Sequence, residues 1–186
     1  MNRQLGGLNA DKLWRVWVTE HPMKAAVVAG VIGGQIATLW GMWFQGVGLP
    51  ALNWPLTNGA TIDPKGTFVA QFAIGGIFHA LDCVVFALVF ALFVFPLIGK
   101  VVSPGMNMLK ALGFSMVLAT ISAAFLVPYV YYKGYHVGFG GVSYGGWKLV
   151  FAIYLWHFLY GVNLGALYSP LALDDPLLAS FERVAH

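Results

Sequence analysis

Charge is what this sequence has least of. Only 9% of its 186 residues are Asp, Glu, Lys or Arg, 59% are hydrophobic, and the mean hydropathy is +0.76. A water-soluble domain carries about 25% charged residues, so this chain cannot coat a water-facing surface. Cysteine is nearly absent: Cys83 is the only one. It can form no intramolecular disulfide, and in its apolar run it reads as a small buried hydrophobe. CxxC, CxxCH and paired Cys/His spacings are missing, which excludes zinc-finger, thioredoxin-like and c-type haem chemistry. A P-loop, a G-x-S-x-G elbow and an H-E-x-x-H helix are missing too, so nothing points to a hydrolase, a transferase or a nucleotide site. The net charge of +3 and the pI near 9.0 arise from ten Lys and Arg spread along the chain. They flank apolar runs and form no patch, so nucleic acid is not an expected partner. The N-terminal segment does not read as a secretory signal, because its first apolar run is longer than an h-region.

Four long apolar stretches are present, at residues 25–45, 67–98, 111–132 and 149–169. A spanning helix takes about 20 apolar residues, and runs of this length do not fit strands. The expected fold is all-α. It is a polytopic membrane protein with one membrane domain over residues 1–186, a four-transmembrane-helix bundle solvated by the lipid bilayer. The second stretch is the longest and should tilt or project beyond the bilayer. Arg3, Lys12, Arg15, Lys24, Lys100, Lys110 and Arg183 fall on one side of these spans, and Lys65, Lys133 and Lys148 on the other. By the positive-inside rule both termini are expected in the cytoplasm.

Both tails read as interfacial amphipathic helices. Residues 9–20 begin at capping-type Asn9 and Asp11, place Leu13, Trp14, Trp17 and Val18 along one side, and end before Pro22. Residues 175–185 offer Pro176 at a first helical position, followed by Leu177, Leu178, Phe181 and Val184 at helical spacing. Such faces suit a membrane surface or a partner subunit. Residues 46–66 are turn-rich and long enough to fold back over the bundle. Residues 133–147 interleave glycine with aromatics. Trp40, Trp43, Trp54 and Trp147 read as an aromatic belt.

The stretch GGIFHALDCVVF raises the functional question, because His79 and Asp82 share a helix face at i, i+3 inside an apolar run. His157 lies in the fourth stretch, which runs parallel to the second. Counted from the helix starts, the two histidines lie at depths of roughly 18 and 13 Å. Three readings follow. Imidazoles at similar depth on parallel helices could clamp a haem b, with Gly75, Gly76 and Gly161 leaving room for a flat ring. His79, Asp82 and His157 together could ligate copper, zinc or iron. Alternatively, Asp82 and His79 hydrogen-bond across to His157, Tyr160 or Asn163 and lock the bundle, which contributes on the order of 0.6–2 kcal/mol per contact. A charge in lipid is costly, so Asp82 is expected to face inward, paired or protonated. AGVIGGQIA and GVNLGALY carry small residues at spacing three or four, which lets helices approach closely. HALDCVVFALVF and HFLYGVNLGALY form a faint parallel echo, both starting at a histidine.

The segment HFLYGVNLGALY, His157 to Tyr168, has the pattern H-x-x-Y-G-x-x-x-G-x-x-Y. It resembles the last helix of small, uncharacterised prokaryotic four-helix integral membrane proteins. GLPALNWP, Gly48 to Pro55, is similar to the turn at which their first helix exits, and His79 falls where their second-helix histidine does. The resemblance implies the four-helix fold and no activity, and Asp82 departs from it. The favoured expectation is an accessory or structural subunit of a larger membrane complex, with other membrane subunits as partners and no catalytic site of its own. The alternatives are a haem-b electron carrier or quinone-linked anchor using His79 and His157, and a small proton or ion transporter centred on Asp82.

Overall fold

Proline and capping side chains cut the chain into helices. In the computed structural model, which describes residues 10–98 and 103–178 except 173 and 177, every regular element is helical. Helix α1 spans Ala10–Glu20, with Asp11 in its first turn, where a carboxylate suits the helix dipole. Pro22 opens the next helix, α2, Pro22–Val47, at a position where its missing N–H costs nothing. Asn53 caps a short helix, α3 (Trp54–Ile62), its Oδ1 accepting from Leu56 N at 3.0 Å. Thr67 caps α4 (Phe68–Leu97), and Ser103 caps α5 (Pro104–Tyr131). Helix α6, Phe139–Leu167, starts with a turn that only glycine tolerates, at φ 57° for Gly140 and 75° for Gly141, and bends again at Gly146.

Four of these helices, α2, α4, α5 and α6, are long and apolar enough to cross a membrane. They match the four stretches read from the sequence, with two starts shifted: α6 begins at Phe139, not at residue 149, so Lys148 and part of the glycine- and aromatic-rich segment 133–147 are helical. Helix α5 begins at Pro104, not at residue 111, so Lys110 lies within the helix and not in a connection. Its side chain is buried, with Nζ over the Phe95 ring at 4.4 Å from the centroid. Of the expected segment 175–185, only residues 175, 176 and 178 are among those described. Arg3, Asn9, Lys100 and Arg183 also lie outside the described residues.

Helix α2 is the hub. Its buried face is almost entirely small: Ala25, Ala26, Ala29, Gly30, Gly33, Gly34, Ala37, Thr38 and Gly41. A Cβ added at Gly34 would lie 2.6 Å from Cys83 Sγ in α4, and one at Gly33 3.2 Å from Asn163 Cβ in α6. Side-chain volume is therefore what α2 gives up to touch two helices at once. Helix α6 in turn packs on α5, where Gly161 and Gly165 meet Ser115 and Met108. The packing order is α4, α2, α6, α5. Helices α4 and α5 come together mainly through Phe90–Leu97, near the connection that joins them, and part further along.

Each of the parted helices has a wide turn. Phe90–Val94 in α4 and Ser122–Tyr131 in α5 are π-helical, the second containing Pro128. Proline removes an N–H and crowds the preceding turn. Here the helix continues past it by widening, and Tyr132 N donates to Val127 O at 3.0 Å. The fold-back of residues 46–66 takes the form of α3, which lies along the first turns of α4. A Cβ at Gly59 or at Gly75 would fall 1.8 Å from Gln71 O or Pro55 O respectively, so both helices need glycine at the crossing.

Helix α1 docks on the chain's own last long helix. Trp14 Nε1 donates to Leu167 O at 2.9 Å, Arg15 Nε to Ser169 O at 3.2 Å, and Arg15 Nη2 to Pro170 O at 3.4 Å. Leu171 N donates to Thr19 Oγ1 at 2.8 Å. Carbonyls at and beyond the C-terminus of α6, which no further helical turn can satisfy, are thereby supplied with donors, one of them cationic.

Candidate functional site: a cleft between α4 and α5

Where α4 and α5 part, a cavity of about 340 Å³ opens, roofed by α3 and backed by α6. Its wall is formed by Trp54, Asn58 and Thr61 of α3, His79, Asp82 and Phe86 of α4, Ser122 and Tyr131 of α5, and Trp156 and His157 of α6. The cavity therefore gathers the three ionisable residues singled out by sequence, from two helices that do not follow one another in the chain.

The hydrogen bonds fix the tautomers of both histidines. Thr38 Oγ1 lies 2.7 Å from Gly34 O and 2.7 Å from His79 Nε2. A carbonyl can only accept, so the hydroxyl proton goes to Gly34 and Thr38 accepts from His79 Nε2–H. In the neutral ring, Nδ1 of His79 keeps the lone pair. His157 Nδ1 sits 2.8 Å from Ile153 O and must donate there, which leaves the lone pair on Nε2. The position of His157 is fixed further by Ser115, whose Oγ donates to the His157 carbonyl. Each imidazole thus spends its N–H on structure and retains one acceptor.

The remaining candidates separate. Tyr160 is buried, and its OH donates across to Cys83 O in α4 at 2.7 Å. Asn163 does not reach α4: its Nδ2 donates to Leu159 O within its own helix at 2.8 Å. Asp82 departs from expectation. It is exposed at the cavity wall and has no hydrogen-bond or ion-pair partner among the described residues. No interhelical contact holds it. The reason is angular: three residues turn a helix by about 300°, which sets Asp82 some 60° round from His79. His79 faces α2, and Asp82 faces the gap left by α5.

The geometry fits neither metal nor haem. Among the described residues, no group of three His, Cys, Asp or Glu side chains is placed to hold a metal ion. His79, Asp82 and His157 share a cavity without converging. For a haem clamped between the imidazoles, the iron would have to sit between the two rings. The Trp156 indole packs against both, with centroids 5.4 Å from His79 and 5.0 Å from His157. It is itself stacked on Tyr160 at 5.8 Å and 8°. His79 Nε2 is also committed to Thr38.

Several contributors to the wall were not picked out from sequence. Trp54 is buried in the cleft roof and does not join the aromatic belt, whereas Trp40, Trp43 and Trp147 are exposed. Asn58 and Thr61 arrive on α3, whose only sequence signal is the capping Asn53 followed by Pro55. Ser122 marks the start of the π turn. The indole N–H groups of Trp54 and Trp156 are buried without an acceptor. No protein-family model matches the chain, and no curated protein or solved structure is significantly similar to it.

Proposed function

We propose that this protein is a multi-pass integral membrane protein that binds, without covalent chemistry, a small amphipathic molecule entering laterally from the bilayer between α4 and α5. One observation carries the reading: a cavity of about 340 Å³ at the parting of these helices is walled by aromatic rings together with unspent polar groups. Ligand pockets of this size typically combine apolar walls with a few polar anchors. Ionisable groups at membrane depth are expensive, and they mark a functional site by default. In this reading both chain ends lie in the cytoplasm, following the bias of Lys and Arg, and α1 lies in the headgroup layer. The resemblance to small prokaryotic four-helix proteins implies a four-helix fold and adds no activity.

The test is chemical extraction. Purified protein should release a stoichiometric amphiphile on treatment with organic solvent, identified by mass spectrometry. Ser122→Trp, which fills the cleft, should release none while eluting normally from a sizing column. Indistinguishable extracts from the two would end the reading.

A second reading, an accessory subunit of a larger membrane complex, is favoured by a different surface. Ile36, Leu39, Trp40 and Trp43 frame a depression of about 350 Å³ on the outside of α2, suited to an apolar helix of another subunit. Purification in mild detergent should then yield a stoichiometric partner that Trp40→Ala loses. Its absence from the wild-type preparation would reject this reading.

A further inference from the structure

We infer that the molecule held in the cleft is a lipophilic cation, a hydrophobic amine or onium compound, with its charge on Asp82. This rests on the lateral-binding reading above and names the chemical class of its ligand. The argument is one of charge balance. Asp82 lines the cavity without a partner among the described residues, and no Lys or Arg contributes to the wall. Among the described residues, this space therefore receives one carboxylate and no Lys or Arg. The two imidazoles agree with it in sign. His79 Nδ1 and His157 Nε2 present lone pairs, since both N–H groups are spent on Thr38 and on Ile153. The buried indole N–H groups of Trp54 and Trp156 are donors in the same wall but carry no formal charge, so among the described residues Asp82 sets the sign of the space.

The rest of the wall suits the same class. Trp54, Tyr131, Trp156, Phe78 and Phe86 all line the cavity. A desolvated cation is attracted to aromatic faces, and the rings also cover the apolar part of an onium compound. The parting of α4 and α5 leads directly to the apolar surface, where such a compound concentrates from water. Trp54 and Trp156 are held by packing: Trp54 sits edge-to-face on Trp156 at 6.2 Å, and Trp156 stacks on Tyr160. The aromatic faces are thus set before the ligand arrives, which lowers the ordering cost of binding.

The test uses protein in lipid nanodiscs and tritiated tetraphenylphosphonium as the probe, read by scintillation proximity. Saturable binding is expected. Benzyltrimethylammonium should compete at least tenfold better than neopentylbenzene, its uncharged isostere. Asp82→Asn should weaken binding at least tenfold, and Asp82→Glu, which keeps the charge, should lose less than threefold. Circular dichroism and sizing-column behaviour of both variants should match the parent. Equal competition by the uncharged isostere, or unchanged affinity in Asp82→Asn, would overturn the cation assignment and leave the cleft as a site for neutral amphiphiles. Absence of saturable binding, with a cleft-dependent amphiphile still found by extraction, also removes the cation class alone. If extraction fails as well, the lateral-binding reading falls with it.

Discussion

The two ends of the bundle treat polar side chains in opposite ways. At the end that holds α1 and the C-terminus of α6, side-chain donors and acceptors go mainly to structure, with Asn107 Oδ1 the buried exception. Trp14, Arg15 and Thr19 serve the stretch Leu167–Leu171, and the buried Asn107 donates to Ser169 Oγ at 3.2 Å and to Pro170 O at 3.5 Å. In the cleft a carboxylate, two imidazole lone pairs and two indole N–H groups are left over. Packing explains the difference. Small residues bring α2, α4 and α6 together along their lengths, but α4 and α5 touch mainly near their connection. One region holds the fold, and the other is what the fold leaves open.

The sharpest way to break this contrast is to push α3 off α4, since α3 roofs the cleft and contributes nothing to the other end. Gly75→Val places a Cβ 1.8 Å from Pro55 O, and no rotamer relieves a clash with backbone. Overpacking costs about 1–3 kcal/mol, and a clash with backbone belongs at the upper end. Unfolding of the purified variant in a detergent titration should shift by that amount, with loss of cleft binding. A stable variant that still bound ligand would mean that α3 is dispensable to the site.

A middle-sized effect is expected at the other end. Asn107→Ala deletes both donated bonds to the turn after α6, and should cost about 1–3 kcal/mol. The residues after Leu167 should become more open to protease, while affinity in the cleft stays within twofold of the parent. A large change in binding would show that the two ends are coupled, and the division drawn above would need to be abandoned.

The parts of this arrangement that depend on apolar length were readable in the sequence, and the parts that depend on rotation were not. The four long helices follow from runs too apolar and too long for anything else. His79 and His157 do line one cavity, but the depth count that paired them took the fourth helix to start at residue 149, ten residues after Phe139. Lys110 misled because a lysine beside a proline- and glycine-bearing segment looks like a loop charge, whereas its long stem lies inside α5 and its head reaches Phe95. Helix α3 was hidden for another reason. Nine residues with an internal glycine make a poor isolated helix, and α3 persists because Gly59 and Gly75 let two backbones touch. The outward set of Asp82 needed the one fact absent from a single sequence, namely which neighbour α4 lacks.

Asp82 also yields the smallest effect on stability, and the most discriminating. If it were interior glue, Asp82→Asn would leave a partner unsatisfied and cost about 1–3 kcal/mol. Among the described residues it has no hydrogen-bond or ion-pair partner to lose. A carboxylate at the centre of a membrane helix is itself unfavourable by about 2.5–3.5 kcal/mol on insertion scales, so the neutral amide removes a burden and breaks no contact. Detergent unfolding of Asp82→Asn should therefore show no loss of stability, with any change upward. Set beside Asn107→Ala, a conservative polar change that does destabilise, this result would separate a residue retained for binding from one retained for folding. A loss of 1 kcal/mol or more would return Asp82 to the scaffold and leave the cleft without its anion.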